Sequence, residues 1–186
     1  MNVFIGMETS GVVRRAFQAL GHHAISCDLL PAEDTPAPAY PGGNSTHWQG
    51  DVFDVLDQMS DDREFDLAIF HPDCTYLTNS AAWAYGDGPY HQKVKPGTLV
   101  GKDRREARAA AIETVRRIMA LPIPRIAIEN PIGALSTAFR KPDQIIQPNE
   151  FGADASKATC FWLKGLPLLV PTKHVPPRIT SIGRKR

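Results

Sequence analysis

The sequence has little that would staple a small secreted fold or carry a chain across a membrane. Among 186 residues there are three cysteines, Cys27, Cys74 and Cys160, too few and too scattered for a disulfide framework or a zinc site. A reducing, cytoplasmic setting is therefore expected, with no bound metal. No apolar run approaches the roughly 20 residues of a membrane span. The chain opens directly into Asn2-Val3-Phe4-Ile5, without a basic segment and a long apolar run, so no signal peptide and no membrane partner are expected. An excess of positive charge is missing too. A net charge of +1 leaves no global footprint for nucleic acid, and any such surface must be a local patch.

What is present is an ordinary globular composition, 42% hydrophobic and 22% charged. The length suits one α/β domain with a real core. That domain is expected over residues 1–170, followed by a proline-rich and then basic tail, extended or disordered, over 171–186.

Short apolar runs at Val3–Ile5, Ala24–Cys27, Phe65–Phe70 and Ile126–Ile128 read as buried strands, with later strands at Gln144–Gln147 and Thr159–Leu163. Helices are predicted from Gly11 to Leu20, from Gly50 through Met59, and from Asp103 to Leu121, the last stopped by Pro122 and Pro124. Residues 31–46 and 84–101, rich in glycine and proline, read as loops. Strands alternating with helices imply a mostly parallel, twisted sheet with right-handed crossovers. In such sheets ligands sit at the carboxyl ends of strands. Gly6 to Gly11, Asp28, His71 to Cys74 and Glu129-Asn130-Pro131 all follow directly after predicted strands, so reactive side chains gather where a site belongs.

Glycines at 6 and 11 let a ligand approach the backbone, and the helix that follows offers free N–H groups. Glu8 inside this turn disfavours a pyrophosphate and tolerates a cofactor carrying positive charge; the same turn also reads as an ordinary strand–helix connection. Asp28 stands roughly 20 residues beyond it, where an acid commonly takes ribose hydroxyls. Asp51 could bind an adenine amino group, and either aspartate could equally cap a helix. A lone cysteine is usually a small buried hydrophobe. Cys27 and Cys160, inside apolar strands, fit that description. Cys74 instead lies past a strand end, with His71 and Pro72 before it and Thr75-Tyr76-Leu77-Thr78-Asn79-Ser80 after it, a setting that suits a nucleophilic thiolate. Glu129, after three apolar residues, is expected to be half-buried, which favours its protonated form. Arg104, Arg105 and Arg108 crowd the start of the long helix against its dipole. They read either as phosphate contacts or as surface ion pairs with Asp103 and Glu106. Lys157 is a further cation of the same kind.

Taken in order, these elements resemble the motifs of cytosine-C5 DNA methyltransferases. Phe4 to Gly11 is similar to the first, cofactor-binding motif, with Asp28 and Asp51 at its acidic positions. His71-Pro72-Asp73-Cys74 resembles the Pro-Pro-Cys nucleophile motif, with Asp73 in place of a proline. Ile128-Glu129-Asn130-Pro131 resembles the Glu-Asn-Val motif, with Pro131 in place of valine. Phe151-Gly152, Ser156 to Cys160 and Trp162-Leu163-Lys164 are similar to segments of small phage and prophage members. The resemblance spans roughly residues 2–165; a Gln-x-Arg-x-Arg motif and a separate target-recognition domain are not visible within it.

The resemblance implies a Rossmann-like class I methyltransferase fold with helices on both faces of the sheet, and S-adenosyl-L-methionine as cofactor. It implies that Cys74 adds to C6 of cytosine while Glu129 assists at N3. Cofactor contacts are expected from Phe4, Gly6, Glu8, Thr9, Ser10, Gly11, Asp28, Leu29, Asp51, Val52 and His71. Substrate contacts are expected from Pro72, Asp73, Asn79, Asn130, Pro131, Arg104, Arg105, Arg108 and Lys157. DNA or another cytosine-containing nucleic acid is the expected partner, with target recognition supplied by a second protein if this chain lacks it. The alternatives are a methyltransferase for a cytosine nucleotide or a single strand, and a non-catalytic relative that binds cofactor or nucleic acid.

Overall fold

The computed structural model describes residues 1–34, 46–59, 64–91 and 93–178. Among them are the strands β1 Asn2–Gly6, β2 His23–Asp28, β3 His47–Gln49, β4 Leu67–Phe70, β5 Ile126–Pro131, β6 Gln144–Ile146 and β7 Thr159–Lys164. The helices are α1 Val12–Ala19, α2 Val52–Met59, α3 Gly101–Ala120 and α4 Leu135–Ala138, with short 3-10 turns at Ala82–Tyr85 and Pro148–Glu150. The hydrogen-bonded strand order is β3-β2-β1-β4-β5-β7-β6. The pairs β1–β2, β1–β4, β2–β3 and β4–β5 are parallel, and β6–β7 is antiparallel. The fold is α/β with a mostly parallel sheet, as the alternation of elements predicts.

The chain divides into two compact units. One comprises Met1–Pro72, Met119–Glu129 and Leu163–Pro167; the other comprises Asp73–Ile118, Asn130–Trp162 and Leu168–Arg186. In the first unit, β1 is buried along Val3, Phe4 and Ile5. Val3 and Ile5 pack with Ala24 and Leu67 and with the α1 side chains Val13 and Phe17. Phe4, pointing to the opposite face, meets the rings of Phe65 at 5.2 Å and Phe70 at 5.8 Å. A parallel strand covered on both faces has no polar side to display, which is why its sequence is a continuous apolar run. Each such side chain stabilises the fold by about 1.5–3 kcal/mol relative to exposure. At the end of α1 the amides of Gly21 and His22 bond back to the Gln18 and Phe17 carbonyls, and Gly21 takes a left-handed φ of 80° that stops the helix.

Strand order sets the location of a site. Growth from β1 runs outward through β2 and β3, then resumes on the other side of β1 with β4 and β5. The connections after β1 and β4 therefore leave in opposite directions, the arrangement in which open α/β sheets take ligands outside the carboxyl ends of those strands.

In the second unit α3 buries Ile112, Val115 and Ile118 on one stripe, and Arg104 as well. The Trp162 indole is fully buried and donates to the Arg140 carbonyl at 2.8 Å. Four short elements were not anticipated: β3 in the first unit, and α4 and the turns at Ala82–Tyr85 and Pro148–Glu150 in the second. None is long enough to leave a periodic pattern, and the turn at Pro148–Glu150 is closed by a reciprocal capping box between Gln147 and Glu150. The segment from residue 171, expected to be extended or disordered, is hydrogen-bonded within its unit over part of its length. The amides of Thr172 and Lys173 bond to the Glu150 carbonyl, and Val175 to that of Asn149. The end of the tail (179–186), like most of the predicted 31–46 loop, lies outside the described residues. Among the described residues no helix is long and apolar enough to cross a membrane.

Candidate functional site

The first unit brings the carboxyl ends of β1, β2, β4 and β5 into play. Gly6 ends β1, and a Cβ there would collide with the ring of Phe70, the last residue of β4, and approach Val52 Cγ2 at 3.0 Å. Only hydrogen fits between the two strands. The chain then turns sharply: Met7 adopts a left-handed φ of 63°, and its amide bonds to the Cys27 carbonyl at 2.7 Å. That conformation costs a non-glycine residue on the order of 1–2 kcal/mol, and such strain concentrates at functional turns. Glu8 is buried. Its Oε1 accepts from the Val13 amide at 2.8 Å and from Ser10 Oγ at 3.1 Å, so it caps α1 from outside the helix. Its Oε2 is buried with no partner among the described residues. Thr9 Oγ1 donates to Glu33 at 2.5 Å. Gly11 starts α1 in a left-handed conformation, packed against Arg14 and Asp34.

Asp28 ends β2 with its Oδ1 accepting from the Leu30 amide at 2.9 Å, an Asx turn that leaves Leu29 exposed. Asp51 caps α2, accepting from the Phe53 amide at 2.9 Å, and Val52 behind it is buried. The helix-cap alternative thus describes Asp51, while its carboxylate stays exposed. The two aspartates share one corner, because the Gly50 amide bonds to the Asp28 carbonyl at 2.8 Å. Burial, then the charges of Asp28 and Asp51, push the Cys27 thiol between them up to about 12.

His71 and Glu129 come together. Phe70 pairs with Ile128 across β4 and β5, so the next residue on each strand is a cross-strand neighbour. The His71 amide bonds back to the Gly6 carbonyl at 3.1 Å. Its Nδ1 lies 3.4 Å from Glu129 Oε2, and its Nε2 is buried with no partner among the described residues. The sequence had assigned His71 to the cofactor and Glu129 to catalysis, and adjacency of the two was not foreseen.

In the second unit Cys74 is exposed, whereas Cys27 and Cys160 are buried. Asp73 Oδ1 accepts from the Thr75 amide at 2.9 Å and its hydroxyl at 2.7 Å. This Asx turn bends the chain at the position where the resembled motif carries a second proline. The amides of Leu77 and Thr78 both bond to the Cys74 carbonyl at 3.0 Å. The turn is joined to the segment that follows Asn130-Pro131. Thr78 forms an antiparallel bridge with Gly133, and the Ala134 amide bonds to the Leu77 carbonyl at 2.7 Å. Asn130 is buried, while Asn79 and Lys157 are exposed.

The arginines of α3 have a use that neither sequence reading gave them. Arg104, only 5% exposed, donates from Nη1 to the Leu99 carbonyl and from Nη2 to the Thr75 carbonyl, each at 3.3 Å. Its guanidinium also faces the rings of Tyr76 at 5.2 Å and Tyr85 at 4.8 Å. Arg108 stacks on Tyr85 at 3.6 Å, with Nε on the Tyr76 carbonyl at 2.7 Å and Nη2 on the Thr78 carbonyl at 3.1 Å. Arg105, half-exposed, pairs with Asp87 at 2.8 Å. Tyr76 and Tyr85 were missed from the sequence. The available signal was aromatic residues flanking Cys74 in a chain whose longest helix starts with three arginines. Also missed was the buried pair of Arg14 with Asp34 at 2.6 Å, beneath the glycine turn.

No protein-family model matches the sequence, and no curated protein matches it. Among solved structures the chain is similar to a candidate DNA modification methyltransferase encoded within a prophage of E. coli, at a TM-score of 0.53 and 14% sequence identity. The match covers 95% of this chain and 52% of that protein, so this chain spans about half the length of its structural neighbour. At that identity the likeness is one of fold.

Proposed function

We propose that this chain is an S-adenosyl-L-methionine-dependent methyltransferase that modifies cytosine at C5 in DNA, with Cys74 as nucleophile and Glu129 as its acid partner. The observation that carries the proposal is selective. Of three cysteines only the one in the Pro-x-Cys segment is exposed. Its turn is hydrogen-bonded to residues 133 and 134, a few positions beyond Glu129 in the chain. The fold shared with a candidate DNA modification methyltransferase supports the same class.

The turn after β1 suits the cofactor. Glu8 Oε2 is a buried carboxylate oxygen without a partner among the described residues, and it fits the amino or sulfonium group of S-adenosyl-L-methionine. It would not suit a pyrophosphate. Gly6, Thr9, Ser10 and Gly11 would line this end of the crevice, and Asp28, Leu29 and Asp51 the adenosine end; Phe4 and Val52, expected there from the sequence, are taken up by the core instead. When bound, the cofactor supplies an electrophilic methyl group. The residues of the chain prepare the acceptor. Cys74 Sγ forms a bond to C6 while Glu129 holds a proton at N3, which moves electron density onto C5 and makes it nucleophilic. After C5 has been methylated and its proton lost, the Sγ–C6 bond breaks and the cysteine is released. In a duplex the base must first leave the stack, at a cost of about a few kcal/mol. Asn79, Asn130, Pro131 and Pro72 would border the base, and the exposed Lys157 and Arg105 would meet phosphate, Arg105 by exchanging Asp87 for it.

A Cys74→Ser variant tests the proposal. Methyl transfer to cytosine DNA is abolished and cofactor affinity by isothermal titration is retained; transfer at the wild-type rate would remove Cys74 from the mechanism. DNA containing 5-fluorocytosine should trap the wild-type protein covalently, and absence of an adduct would point to a non-catalytic relative. The near-neutral charge favours a second reading, a nucleotide or single-stranded acceptor. Comparing dCMP, single-stranded and duplex DNA as acceptors separates the two.

A further inference from the structure

We infer that Arg104 and Arg108 are positioning residues that fix the backbone of the Cys74 turn; the inference rests on the function proposed above and gives these arginines a part in it. The turn is irregular, and its carbonyls have no strand or helix to bond. Two N–H groups, those of Leu77 and Thr78, converge on the Cys74 carbonyl. The carbonyls of Thr75, Tyr76 and Thr78 take side-chain donors instead. All three donors come from α3: Arg104 takes Thr75, while Arg108 takes Tyr76 through Nε and Thr78 through Nη2. The Tyr85 hydroxyl adds a second donor to the Tyr76 carbonyl at 2.9 Å.

The choice of side chain fits this purpose. Arg104 and Arg108 are four residues apart on a 20-residue helix, so both project from one rigid face. A guanidinium is a planar fork, able to hold two carbonyls in fixed relation, which the point charge of lysine does not do. Stacking on Tyr85 and Tyr76 removes the remaining freedom of the fork. Burying a cation is weak stabilisation compared with a well-packed apolar side chain. Stability alone therefore does not explain arginine at a position only 5% exposed. Control of peptide geometry within four residues of the nucleophile does.

The test uses the full chain with Arg108→Met, Arg104→Met and the milder Arg108→Lys. Hydrogen exchange at the Leu77 and Thr78 amides is expected to quicken about tenfold in the Met variants while the amides of α3 keep their protection. At a temperature well below unfolding, turnover falls about 100-fold, as small misplacements of reacting groups do. KM for DNA and cofactor affinity stay within about twofold. Arg108→Lys recovers part of both effects, and carries the test if Arg108→Met does not fold. Unchanged exchange in the turn, or a loosened turn with unchanged turnover, overturns the inference. So does a raised KM for DNA with turnover intact, the mark of a phosphate contact. Activity surviving in Cys74→Ser would instead sink the proposed function, and the exchange measurement would still report on the turn.

Discussion

His71 Nδ1 stands 3.4 Å from Glu129 Oε2, two side chains 28% and 26% exposed that project from the ends of neighbouring parallel strands. With its proton on Nδ1 the imidazole donates to the carboxylate and orients it. Hydrogen bonds to charged groups contribute about 1.5–3 kcal/mol when well formed, and this longer, partly exposed one is placed at the low end. His71→Ala is therefore expected to lower turnover roughly tenfold without altering cofactor affinity. Combined with Glu129→Gln it should cost little more than Glu129→Gln alone, because the two act as one unit. A loss of cofactor affinity with turnover intact would return His71 to the cofactor role that the sequence suggested.

The three thiols are expected to react very differently. Cys74 is exposed and should be alkylated in the native protein, while Cys27 and Cys160 should need unfolding first. For Cys27 the folded state raises the thiol from 9.0 to about 12, chiefly through burial. The folded form thus holds its proton more tightly than the unfolded one. The associated stability is intact below about pH 9 and is lost as pH rises from there toward 12. Denaturant unfolding between pH 8 and 11 should show a steeper decline for the wild type than for Cys27→Ala; parallel curves would contradict it.

Gly133 is required by contact. A Cβ there would overlap the Leu77 carbonyl oxygen and lie 3.0 Å from both Leu77 C and Thr78 Cα. Those are backbone atoms that cannot rotate aside. Gly133→Ala should lose about 1–3 kcal/mol and expose the Thr78 bridge to exchange. At Gly86 the nearest atom to such a Cβ is 3.8 Å away, so Gly86→Ala serves as the tolerated control. Equal thermal stability of the two variants would show that the turn can yield.

Asp34 neutralises Arg14, whose side chain is 1% exposed, and also meets the half-exposed Arg15. Asp34→Ala strands a buried guanidinium and is expected to destabilise the fold by about 3 kcal/mol. Arg15→Ala, losing a partner at the surface, should change stability by under about 1 kcal/mol. Denaturant midpoints of the two variants measure the difference, and equal small losses would mean that Arg14 finds water once Asp34 is gone.

Much of the scaffold is legible along the chain. Val3-Phe4-Ile5 and Ile126-Ala127-Ile128 are apolar because strands covered on both faces must be, and Pro122 and Pro124 end α3 because proline cannot continue a helix. Asp28 follows directly after a strand that the sequence shows, yet its local bond, like that of Asp51, could be seen only in three dimensions. Helical spacing sets Arg104 and Arg108 on the arc of Val115, the packing face of α3, and Arg104 is indeed buried. Which rings and carbonyls would cover them is not written in that spacing, because it depends on residues far away in the chain.

The sequence by itself determined the longer elements, their order and the clustering of reactive residues after strand ends, because propensity, hydrophobic period and turn chemistry are local properties. Tertiary structure alone decided that His71 meets Glu129, that Arg104 and Arg108 grip the carbonyls of the Cys74 turn, and that Gly133 is pressed against Leu77. Those contacts join residues tens of positions apart. They depend on strand register and on the packing of α3 in its own unit, quantities that exist only once the chain has folded.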